Sequence, residues 1–165
     1  MQDTPEETLH DKETLHDKVA RVVGTTRYPF PGQTDWHADY VTHINAGTPK
    51  RGIPAPWGMH YSDICVVDGT DRVREVGEVE LEPGPDCVAH WSIASEAADD
   101  DTDSGERHFF VYVPAGMEAA TKTLLDEAGI SYAGVRGFRE VDGAIEVVPF
   151  VTTGETKDHQ VTRAA

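Results

Sequence analysis

"RHFFVYVP", Arg107 to Pro114, is the stretch on which the fold turns. Aromatic and β-branched residues follow one another without a break, which favours a strand, and Pro114 ends it. The next segment, "AGMEAATKTLLDEAG", carries Met117, Ala120, Leu124 and Leu125 at helical spacing and closes on Gly129, so the strand leads into a helix over about 116–128. After that, "ISYAGVRGFREVDGAIEVVPFV" doubles back around Asp142-Gly143, the dipeptide preferred by a two-residue hairpin turn.

Upstream, period-two patterning predicts three more strands in "SDICVVDG", "RVREVGEVELE" and "DCVAHWSIAS". The slip in alternation at Gly77 predicts a bulge. Glu78, Glu80 and Glu82 fall on one side of their strand and read as a solvated face. "EAADDDTDSGE", Glu96 to Glu106, has six acidic residues in eleven and reads as a solvated hairpin loop. At the other end, Thr4-Pro5-Glu6-Glu7 has the chemistry of a helix start, and Gly24 offers a stop just past Val23. The expected fold is therefore α+β: a mainly antiparallel sheet with an N-terminal helix, one internal helix and a long arm, the helices packed on one face. The expected divisions are the helix at 1–24, an arm or loop at 25–59, the α+β core at 60–151 and a flexible tail at 152–165.

The hexapeptide "ETLHDK" occurs twice in succession, from Glu7 to Lys18. Six residues turn a helix by roughly 600°, which leaves His10 and His16 about 120° apart around the axis. Paired imidazole ligands on a helix need a spacing of three or four residues, so the repeat itself builds no metal site.

Thirty acidic residues against fourteen basic ones leave a net charge of -16, and the basic set holds nine arginines but only five lysines. Such a field repels nucleic acid and opposes compaction at ordinary ionic strength, whereas concentrated salt screens it. The balance predicts a salt-rich host cytoplasm, such as that of a haloarchaeon. No apolar run is long enough for a membrane helix, and the N-terminus lacks a signal peptide's basic flank and apolar stretch, so a soluble protein that stays in the cell making it is expected.

Between Thr25 and Met59 lie five prolines and the rings Tyr28, Phe30, Trp36, Tyr40 and Trp57. Rings of that size argue against simple disorder and need a surface to cover. The segment reads either as an interface arm lying on a neighbouring subunit or as a long loop folded on its own sheet. The order of elements resembles that of the tail terminator and tail completion proteins of tailed viruses: an N-terminal helix, the loop ending in "GIPAPWGMHYSDICVVDG", "RHFFVYVP" leading into "AGMEAATKTLLDEAG", and the closing hairpin, together spanning most of residues 5–151. The resemblance implies a non-enzymatic virion subunit of a haloarchaeal virus at the tail or head-tail junction. It would assemble as a homo-oligomeric ring with other virion proteins and use no cofactor, nucleic acid or membrane.

A rival reading is chemical. His60, Cys65, Cys87 and His90 are two imidazoles and two thiols of the kind zinc prefers, as a small metal-binding protein or metal-dependent enzyme would hold. With both pairs on strands, the odd separation of Cys87 and His90 sends them to opposite faces, so buried free thiols and surface histidines are the simpler expectation. No helix start or basic neighbour activates either thiol, no glycine-rich phosphate loop is present, and the acids of the 96–106 loop lack calcium-loop spacing.

Overall fold

A computed structural model describes residues 13–28, 39–98 and 107–152. The fold is α+β, built on a six-stranded, mostly antiparallel sheet. In chain order the elements are α1 (Leu15–Thr26), β1 (Val41–Ile44), β2 (Ile53–Ala55), β3 (Gly58–His60), β4 (Ile64–Val67) and β5 (Val73–Val79). A 3-10 turn (Pro85–Cys87) then runs into α2 (Val88–Ala97), followed by β6 (Phe109–Pro114), α3 (Glu118–Glu127), β7 (Gly134–Val141) and β8 (Ala144–Thr152). The sheet order is β1-β4-β5-β6-β7-β8, and β2 pairs with β3 in a separate hairpin.

At the centre, β6 lies parallel to both β5 and β7, while the outer pairs are antiparallel. The unbroken apolar run of β6 is what a strand covered on both faces requires. Phe109, Val111 and Val113 enter one core with Trp91, Leu125 and Val135, and Phe110 and Tyr112 enter another with Val19, Val23, Ile64 and Phe138. The helices therefore cover both faces of the sheet, α1 on one and α2 with α3 on the other, rather than one face alone. Because β5 and β6 are parallel, the acidic 96–106 segment joins a helix to a strand and cannot close a hairpin; residues 99–106 lie outside the described residues.

The segment 86–95, expected as a strand, is the end of the 3-10 turn and most of α2. Trp91, Ala94, Ser95 and Ala98 are its buried positions, a helical spacing in which three of the four residues are too small to announce themselves. Gly77 carries no bulge; the register shift falls between Val66 and Val67, and a Cβ at Gly77 would sit 2.6 Å from the Tyr28 hydroxyl. Gly24 lies inside α1, where a Cβ would come within 2.7 Å of Ile44. The described helix starts at the second hexapeptide copy, with the Thr14 hydroxyl accepting from the Asp17 N–H at 3.1 Å; Thr4 and the first copy lie outside the described residues. The Asp142-Gly143 turn forms as expected, with φ of 51° and 81°. The expected arm at 25–59 contributes an edge strand, β1, and the β2–β3 hairpin to the domain.

Candidate metal centre

The site grows from the carboxyl end of β5, where ligands gather in open sheets that contain parallel strands. Alternation puts Val76, Glu78 and Glu80 on one side of β5, and Val76 belongs to the core under α2. Glu78 follows it inward and is only 3% exposed, so the expected solvated row is in fact a buried acid. Such a group has to be hydrogen-bonded. His60 Nε2 lies 2.6 Å from its Oε2, the Ser62 hydroxyl donates to the same oxygen at 2.9 Å, and the Asp63 N–H reaches Oε1 at 3.4 Å. Burial, with the Asp63 carboxylate adding to it, holds the Glu78 carboxyl well above the ordinary carboxylate range. His60 is pushed the other way, burial outweighing the carboxylates of Asp63 and Glu80 and lowering it.

Two residues on, Glu80 Oε2 accepts from the indole N–H of buried Trp91 at 2.9 Å and hydrogen-bonds His90 Nε2. Burial opposes charge on His90, but the bond to Glu80 and the nearby Glu78 and Glu80 carboxylates prevail and raise it. Cys87 sits at the junction of the 3-10 turn with α2, three residues before His90, and on a helix that spacing places both side chains on one side. Its thiol is 7% exposed and pushed up to about 11 by burial, so it is no free thiolate nucleophile. A bound cation could still displace the proton.

The donor atoms of Glu80, Cys87 and His90 all lie within 4.8 Å of one another. Zinc holds its donors at about 2.0–2.3 Å, so small rotations would close these three around one ion. Beside them the rings of His60 and His90 stack at 5.4 Å and 27°, Trp57 meets His60 edge to face at 6.1 Å, and Trp91 flanks His90 at 6.2 Å.

Of the four candidates taken from the sequence, Cys87 and His90 converge with Glu80, and His60 lies against them. Cys65 stays outside the converging set. It is a buried free thiol in β4, paired with Val76, and burial pushes it up to about 11 as well. Glu78 and Glu80 were the missed members; their signal was Val76, an apolar residue in phase with them on the same strand face.

The interface rings divide. Tyr28 is fully buried in the chain's own core, edge to face with Phe110 at 6.4 Å and accepting from the Tyr112 hydroxyl at 3.1 Å, so it covers no neighbour. Tyr40 is half-buried under the Arg74 guanidinium at 5.7 Å. Trp57 is 54% exposed, and Phe30 and Trp36 lie outside the described residues. A cavity of about 390 Å³ between α1 and β1, lined by Glu13, Arg21, Ile44 and Lys50 among others, shares no residue with the histidine cluster. Among the described residues no helix is long and apolar enough to cross a membrane. No known protein family, curated protein or solved structure matches the chain.

Proposed function

We propose that this chain binds zinc through Glu80, Cys87 and His90 and keeps a fourth coordination position open to a small molecule. The observation that carries this is the convergence of one carboxylate, one thiol and one imidazole within 4.8 Å. Mixed S, N and O donors suit zinc, and three protein ligands with an open position mark catalytic rather than structural sites. His60, which stacks on His90 at 5.4 Å and hydrogen-bonds Glu78, would hold or orient a water bound there. This reading sets a metal-dependent activity beside the non-enzymatic role that the element order suggested. Elemental analysis of the chain purified in molar KCl should give about one zinc per chain, lost in the Cys87→Ser/His90→Ala double variant. A folded wild-type chain that retains no zinc after equilibration with the metal overturns the proposal.

The exposed Trp57, Met59 and Tyr61 around the β2–β3 hairpin support a second role, assembly as a tail or head-tail subunit of a haloarchaeal virus. That role predicts symmetric oligomers by light scattering in high salt, and a strictly monomeric chain counts against it.

A further inference from the structure

Resting on the zinc reading above, we infer that the centre takes an organic ligand with a flat apolar group, which packs on Trp57 while a donor atom fills the open position of the metal. Trp57 stands at the turn of the β2–β3 hairpin, whose base is pinned by Ile53 at 4% exposure inside the core under α2. The hairpin therefore holds the indole in place while leaving it 54% exposed. An indole left in water gives up the burial that large rings usually obtain, so its placement calls for a purpose.

That placement is next to the chemistry. Trp57 meets His60 at 83°, and His60 stacks on His90, itself one of the three donors, so a continuous row of rings runs from solvent to the metal position. Met59 and Tyr61, 53% and 44% exposed, extend the apolar surface on the same hairpin. Electrostatics narrows the ligand further. The nearby carboxylates of Asp63 and Glu80 and the net charge of -16 disfavour anionic groups beyond the one atom the metal would neutralise. A neutral aryl or aryl-alkyl body with a single metal-binding head fits.

Hydroxamates supply the probe. The full-length zinc-loaded chain in molar KCl is titrated with phenylbutanohydroxamate, whose tether lets its ring reach past His60, and with acetohydroxamate, which has the head alone. The aryl compound should bind about tenfold more tightly, the worth of a good ring-on-ring contact plus its burial. Trp57→Ala should remove that advantage while leaving zinc stoichiometry and acetohydroxamate affinity unchanged, and Trp57→Phe should restore part of it. Equal affinities for the two compounds in the wild type, or an advantage that survives Trp57→Ala, overturn this inference while the zinc reading stands. Absence of zinc from the wild-type chain overturns both.

Discussion

Two imidazole–carboxylate pairs sit at the same end of β4 and β5. His16 of α1 meets Asp63 at 3.0 Å, and His60 meets Glu78 at 2.6 Å. The side chains of the first pair are 33% and 15% exposed, those of the second 14% and 3%. Their behaviour is opposite. His16 is raised to about 9, led by its hydrogen bond to Asp63, whereas burial lowers His60 and raises Glu78. His16 also meets Asp17 at 2.9 Å, so two carboxylates outweigh burial there, whereas the single partner of His60 is itself buried and both members of that pair resist charge. The first pair is a tether that fastens α1 to the sheet. The second is held near neutrality beside the three metal donors.

The comparison breaks most visibly at Glu78. Glu78→Ala leaves His60, the Ser62 hydroxyl and the Asp63 N–H facing a dry gap, and should cost about 3 kcal/mol in a denaturant melt. A loss under about 1 kcal/mol would mean that water already reaches the acid. Asp63→Ala comes next, at about 2 kcal/mol, because Asp63 accepts the Val79 N–H at 2.7 Å as well as pairing with His16.

A smaller effect sharpens the contrast through pH. His16 keeps its proton up to about pH 9 when folded but only to its ordinary 6.5 when unfolded, so its contribution is complete below pH 6.5 and disappears as pH rises to 9. Given its partial exposure, the contribution should be under about 1 kcal/mol. His16→Gln should flatten this part of the stability–pH curve, and an unchanged slope would deny the tether. Smallest of all, Trp57→Ala should leave stability within about 0.5 kcal/mol, since the indole supports no core residue.

Local signals carried much of the fold. The apolar run of β6, the helix that follows it and the Asp142-Gly143 turn each encode their structure within a few residues, although α3 buries Thr121 and Leu125 and leaves Met117 and Ala120, expected on its core face, exposed. The segment 86–95 does not. Cys87, Ala89, Trp91 and Ile93 alternate as convincingly as a strand, while the helical phase rests on Ala94, Ser95 and Ala98. Misreading that one element separated Cys87 from His90 and hid the site. Glu78 was hidden differently: its partners lie 15 to 18 residues upstream, and only the pairing of β4 with β5 brings them to it. Tyr28 shows the same limit. A ring in a proline-rich segment does need a surface, but the surface proved to be Phe110 and Tyr112 of the same chain.

Substituting cobalt for zinc examines the centre most directly, because a thiolate bound to cobalt adds an intense near-ultraviolet charge-transfer band. One equivalent of cobalt should produce that band in the wild-type chain and not in Cys87→Ser. A wild-type chain that stays folded, takes up cobalt and shows no such band would contradict ligation by Cys87, and with it the centre described above.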